Sequence, residues 1–331
     1  MVFAALACHS APDGPPTVAL RPVASTPVPF SQRDDIILAD RDVACITNSF
    51  EVRIRCFSRA GAVVGVFGRE GEGPGEFSGP PGLVRGPDGT VGAISEDRLT
   101  IFDPTGVMVS ETKLPIAYLQ PSRTFGKTIH GQHFGGAAEV TPVEMDVATG
   151  KILWERPGLD SEVNTECNSV ALGVASPTGG WTFPACQREL VFFHHRDDPT
   201  PTIILPSHYA EEFPNERDIA EIENRNSRSA FRLDVESYRR TPKKNHLRYR
   251  SLTYDDHGRL WVATERDRAL SSYLDLYVGT EYVGSVRIRD RLIGYDLYRS
   301  TFVALVERQP DAAGIAWRAV DWYDIEKLDI N

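Results

Sequence analysis

The chain has 331 residues and a net charge of −10, with 36 Lys and Arg against 46 Asp and Glu. That balance excludes nucleic acid as a main partner, because binding a phosphate backbone needs a basic footprint. No stretch is long and apolar enough to span a bilayer as a helix, while 27 Gly, 23 Pro and 41% hydrophobic residues suit a sizeable core crossed by many tight turns.

At the start, Met1 to Ala7 is apolar, Cys8 follows, and His9 to Pro16 reads as a polar tether. This order resembles the end of a bacterial lipoprotein signal. The resemblance implies a lipidated Cys8 and an extracytoplasmic protein, in the periplasm or at the cell surface, that meets the membrane only through its anchor. Residues 1–16 are accordingly read as signal remnant and tether, and 17–331 as one domain.

Short apolar strands then alternate with turns. Thr17 to Val23 is extended and has no obvious neighbour. Ile36 to Ala39, Val43 to Thr47, Val52 to Phe57 and Val63 to Phe67 make a first group of four. The clearest unit runs from Phe67 to Gly106. It opens with the glycine-rich connector Gly68 to Phe77, passes a strand ending at Val84, turns at Pro87-Asp88-Gly89, and continues through Thr90 to Ile94, a polar loop at Ser95-Glu96-Asp97, Arg98 to Phe102 and Asp103-Pro104-Thr105-Gly106. Pro fixes φ and Gly accepts φ > 0, so both turns have a mechanism.

That order of glycines, paired aromatics and turns resembles the NHL-type repeat of β-propellers. It implies a closed all-β ring without exposed sheet edges. Ser95-Glu96-Asp97-Arg98 departs from the Asp and Asn that many such repeats carry around this loop. The grammar recurs more loosely: a third unit between Leu114 and Arg156, its first half open; a fourth from Asn168 to Leu205; a fifth from Leu252 to Ile288; and a sixth with only Leu292 to Tyr295, Thr301 to Glu307 and Ala316 to Trp322. Six units of about fifty residues fit the length. The expected fold is therefore all-β, a six-bladed β-propeller of four-stranded antiparallel blades, with Thr17 to Val23 supplying the missing outer strand of blade six.

Residues 207–244 break the strand pattern and predict a helical insertion between blades four and five. Asn215 is the expected N-cap with Asp218 at the third helical position, and Ile219, Ile222, Ala230 and Leu233 form the apolar stripe. Acidic residues come first and basic ones last, as the helix dipole favours. Successive hairpin turns alternate ends, so this insertion should share a face with Asn48 to Phe50, Arg69 to Glu76, Ser95 to Asp97 and Thr264 to Ala269, where it could cover the central channel. Arg69, Glu70, Glu72, Glu96, Asp97, Glu265 and Arg266 are the binding candidates on that face.

Four of the five cysteines fall into local pairs centred on hairpin loops, predicting disulfides Cys45–Cys56 and Cys167–Cys186 and an oxidising compartment. Catalytic signals are thin. His130 and His133, three apart in a strand, fall on opposite faces and make only weak metal candidates. No nucleophile elbow, HExxH, P-loop or dinucleotide motif occurs in its required context. No catalytic residue or cofactor is therefore predicted. Two readings remain: a module that binds a protein, peptide or glycan, and, by analogy with related propellers, a lyase or lactonase holding a divalent cation in the channel.

Overall fold

Period-two segments bounded by tight turns can bury their apolar faces only against one another, and in the computed structural model they do so as six sheets in a ring. The structure describes residues 16–29, 35–48, 50–134, 140–159, 172–185, 189–205, 212–228, 232–243, 251–265, 271–310, 316–326 and 328. After two entry strands, β1 (Thr17–Ala19) and β2 (Ala24–Val28), blade one comprises β3 (Ile36–Leu38), β4 (Val43–Asn48), β5 (Arg53–Ser58) and β6 (Val63–Phe67). Blade two is β7 (Gly82–Arg85), β8 (Val91–Ser95), β9 (Arg98–Phe102) and β10 (Met108–Lys113). Blade three, whose first half the sequence leaves open, is β11 (Gln120–Phe125), β12 (Thr128–Phe134), β13 (Val140–Asp146) and β14 (Ile152–Glu155).

Blade four follows as β15 (Val174–Ala175), β16 (Trp181–Pro184), β17 (Leu190–Phe193) and β18 (Thr202–Ile204). Blade five is β19 (Leu252–Tyr254), β20 (Arg259–Ala263), β21 (Ser271–Val278) and β22 (Glu281–Arg289), and blade six contributes β23 (Arg291–Tyr298), β24 (Thr301–Glu307) and β25 (Arg318–Asp324). Each blade is an antiparallel meander with its first strand innermost. Neighbouring inner strands pack around the axis, and β23 returns to β3 to complete the circle.

The N-terminal segment closes the ring, but not with the expected residues. The outer strand of blade six is β2, antiparallel to β25 with Ala24 opposite Trp322 and Val28 opposite Arg318. Thr17–Ala19 instead joins blade five as a fifth strand, parallel to β22 with Thr17 opposite Ser285. The apolar pattern misleads because Thr26 takes a buried position in β2 while Pro27 faces out, and a proline that cannot donate is acceptable on an edge strand.

The core is a cycle of blade interfaces. Phe67, Phe77, Leu83 and Phe102 join blades one and two; Phe125, Trp154, Trp181 and Phe193 join three and four; Trp261, Leu276, Phe302 and Tyr323 join five and six. Trp322 packs with Leu38 and Ile46 across the closure. Burying side chains of this size contributes roughly 1.5–3 kcal/mol each, so each interface depends on both of its blades being present. Cys45 and Cys56, directly opposite in β4 and β5, are disulfide-bonded as predicted and fully buried. Cys8 and the expected Cys167–Cys186 pair lie outside the described residues.

Among the described residues between β18 and β19 stand two helices, α1 (Glu216–Arg228) and α2 (Val235–Arg240). The predicted start of α1 is correct: Asn215 Oδ1 accepts from the Arg217 and Asp218 N–H groups, and Asp218 Oδ2 accepts from the Asn215 N–H. Ile219 and Ile222 are buried as expected, but Leu233 is exposed and lies between the helices, while Ala230 falls outside the described residues. A new N-cap, Asp234, starts α2. The acid-first, base-last sequence lets the second half fold back on the first through Arg239–Glu216 at 2.6 Å and Lys243–Asp218 at 2.7 Å.

Closure by β2 and edge extension by β1 should be separable. Deleting residues 1–23 is expected to leave a folded protein with a lower Tm, whereas deleting 1–28 strips blade six of its outer strand and should give no cooperative thermal transition; circular dichroism melts of both truncations check this.

Candidate functional site

The two ends of the ring are built differently. At one end the hairpins turn over short stretches such as 39–42, 86–90, 126–127, 176–180, 255–258 and 299–300. The other end carries the connector 68–81 and the described parts of the stretches between β14 and β15, β18 and β19, and β24 and β25. Long connections on a rigid scaffold are where recognition usually resides.

On this long-connection face the glycine-rich connector is held by its own residues. Arg69 pairs with Glu76 at 2.5 Å, Glu76 also accepts from the Gly73 N–H, and the Arg98 guanidinium donates to the carbonyls of Glu72, Gly73 and Glu76. The Gly73 N–H, followed by Arg69, holds the Glu76 carboxyl below its usual pKa. Gly68, at φ +77°, lies so close to the Phe77 ring that a Cβ there would overlap it. Of the binding candidates, Arg69 and Glu72 therefore take part in shaping the connector, and Glu70 forms a bridge with Phe77.

Glu96 turns with φ +51° and accepts from the Tyr118 N–H through its carbonyl. Asp97 receives the Leu114 N–H on its carbonyl and faces Lys113 at 3.4 Å. Glu265 belongs to a separate cluster around Arg291: burial pulls the Arg291 pKa down, but Glu221, Glu307 and Glu265 outweigh it and raise it. Arg266 lies outside the described residues. The described candidates thus do not converge on one point.

The Arg291 cluster fixes the insertion. Glu221 of α1 bonds Arg291 at the start of β23, so a helix that leaves the ring after blade four reaches the inner strand of blade six. Sequence reading misses Glu221 and Arg291 as partners because the pair joins residues far apart in the chain.

It also misses the channel. Each inner strand bonds its blade on one edge and turns the other toward the axis, leaving backbone groups that need partners. Asp35 accepts the Leu83 N–H and Asp296 accepts the Leu38 N–H, both at 2.8 Å. Arg85 donates to the Leu38 and Leu297 carbonyls and pairs with Asp296 at 2.8 Å. Arg123 bonds Thr253 Oγ1, the Leu297 carbonyl and Asp256, and the Tyr295 hydroxyl lies 2.9 Å from the Ser251 and Trp261 carbonyls. Two arginines from blades two and three thereby tie blades one, five and six across the axis. A signal was present: Gly-Leu-Val-Arg85 and Pro-Ser-Arg123 end apolar or inner-strand segments with a cation that must find a partner.

His130 and His133 do fall on opposite faces of β12. His130, 6% exposed, packs against Phe125 and Trp181, whereas its neighbour Ile129 faces blade two. Glu144 stands 3.8 Å from His130, but Arg196 holds that carboxylate at 2.6 Å. Burial therefore decides, with the Arg123 and Arg196 charges adding to it, and pushes the His130 pKa from 6.5 down to about 4. Among the described residues, no group of three His, Cys, Asp or Glu side chains is placed to hold a metal ion.

The architecture is that of a six-bladed β-propeller. No family model matches the chain, and no curated protein matches it. Among solved structures it is similar to a member of the DUF4221 family from Bacteroides vulgatus, with 9% identity over 92% of this chain and 97% of that one and a TM-score of 0.49. It is similar to a putative exported protein from Bacteroides fragilis, with 10% identity over 93% and 99% and a TM-score of 0.47. It is also similar to regucalcin, a calcium-binding protein from Agrobacterium tumefaciens, with 12% identity over 93% and 96% and a TM-score of 0.43.

A buried neutral histidine makes stability pH-dependent. The unfolded chain takes up the proton at pH 6.5 and the folded one only near 4, so the stabilisation is complete above pH 6.5 and is lost as pH falls through about 4. The difference amounts to about 3 kcal/mol. His130→Gln is expected to remove that component, so urea unfolding of both proteins at pH 7 and pH 4 should show the wild type losing about 3 kcal/mol more than the variant.

Proposed function

We propose that this propeller is an extracytoplasmic binding module of NHL-like type, which recognises a protein, peptide or glycan on its long-connection face at the cell envelope. The observation that carries this reading is the asymmetry of the ring: tight turns at one end, and at the other the long connections with α1 anchored to Arg291. In this reading 207–244 acts as a lid over the channel mouth, 17–331 is a single propeller domain, and Glu70, Glu96, Asp97, Glu265 and Arg266 lie around the recognition surface. The buried Cys45–Cys56 disulfide supports an oxidising compartment, and Cys8 would carry the lipid that holds the protein at the membrane.

The second reading is a lyase or lactonase with a divalent cation in the channel. It fares worse on chemistry. Arg85 and Arg123 occupy the channel wall beside Asp296, and two guanidiniums next to one carboxylate oppose a second cation.

Cross-linking tests the face. A photo-reactive residue at Glu70 or Glu223, on the long-connection face, is expected to give adducts in an envelope preparation, and one at Lys127 or His257, on the opposite face, to give none; adducts from the second pair alone would refute the assignment. Elemental analysis of protein purified without chelator tests the chemistry. Less than 0.1 equivalent of any divalent metal is expected, in roughly the range of adventitious carry-over, and one equivalent would favour the enzyme.

A further inference from the structure

The wall of the channel leaves one cation incompletely served. Arg123 has a side chain only 3% exposed, yet its Nε has no hydrogen-bond partner among the described residues. It lines a cavity of about 30 Å³ that it shares with Arg85, Asp296, Thr253 and Thr124. The Thr124 hydroxyl is likewise buried without a partner. Two guanidiniums and one carboxylate therefore face this space. Asp256, the other carboxylate on Arg123, is 37% exposed and stands toward water, where its field is screened. Asp35 lies just before β3, outside the cavity wall, with one oxygen on the Leu83 N–H.

We propose that this cavity is a binding site for a single small monovalent anion of halide size, held by Arg123 with Arg85 adding its charge. Size selects the class: space for roughly two water molecules accepts a chloride or bromide ion but not a phosphate or a carboxylated metabolite. Charge selects the sign, since a wall with two guanidiniums and one carboxylate attracts an anion and rejects a metal cation. Burial, with the Arg85 charge adding to it, also pulls the Arg123 pKa down against Asp296, Asp256 and Asp255. A bound anion would complete that balance and tighten the ring where five inner strands meet, because a ligand that binds only the folded state stabilises it by mass action. The inference does not depend on what the long-connection face recognises.

Diffraction at the bromine edge from crystals soaked in sodium bromide tests the site. An anomalous peak inside the channel, within hydrogen-bonding reach of Arg123 Nε, is expected. In solution, replacing isethionate by chloride at constant ionic strength should raise Tm along a saturable curve, and Arg123→Lys, which keeps the charge but loses the guanidinium, should raise the half-saturating concentration at least about tenfold. Bromide found only on the outer surface, water alone in the cavity, or equal Tm in the two salts at every concentration would overturn the proposal. Should the Lys variant not fold, the bromide measurement on the wild type decides by itself.

Discussion

Every propeller must answer one question of backbone chemistry: what satisfies the inner edge of its innermost strands. A buried N–H or C=O left without a partner costs about 1–3 kcal/mol. The solution here is ionic. Asp35 and Asp296 take N–H groups of Leu83 and Leu38, while Arg85 and Arg123 give hydrogen bonds to the carbonyls of Leu38 and Leu297. Because donors and acceptors come from different blades, the same contacts that satisfy the edges hold the ring shut. Removing one partner of such a buried pair typically costs about 3–5 kcal/mol, comparable to losing a core aromatic.

The clasp also sets the character of the axis, where the guanidinium groups of Arg85 and Arg123 stand beside Asp296, and it is separate from the end face of the ring. There the chain has its long connections, and there α1 crosses from blade four to the inner strand of blade six through Glu221 and Arg291. The opposite end has tight turns built for geometry: Asp103 and Asp146 each collect hydrogen bonds from their own turns.

Much of the scaffold was legible because its signals are local. The Phe67 to Gly106 unit announced its strands through turn chemistry. Asn215 and Asp218 marked a helix start by spacing alone, and Cys45 and Cys56 marked hairpin partners by their symmetry about a loop. Where the signal was weak, the reading slipped. Blade six took Ala24–Val28 rather than Thr17–Val23, since Thr26 and Pro27 hide the alternation of a strand that is half edge. The candidate site was less legible still. Sequence reading leaves out Glu76 and Arg98, whose hydrogen bonds with Arg69, Gly73 and the Glu72 carbonyl shape the connector.

By itself the sequence determined the six four-stranded blades and the disulfide in blade one, because strands and turns follow from residues near in the chain. Only the tertiary structure decided which segment closes the ring, that Arg85 and Arg123 meet Asp296 on the axis, and that Glu221 reaches Arg291. Those pairings span 211, 258 and 70 residues in the cases of Arg85–Asp296, Leu38–Asp296 and Glu221–Arg291. Their geometry exists only once six blades have packed into a circle, and no local pattern encodes where the circle brings two distant strands together.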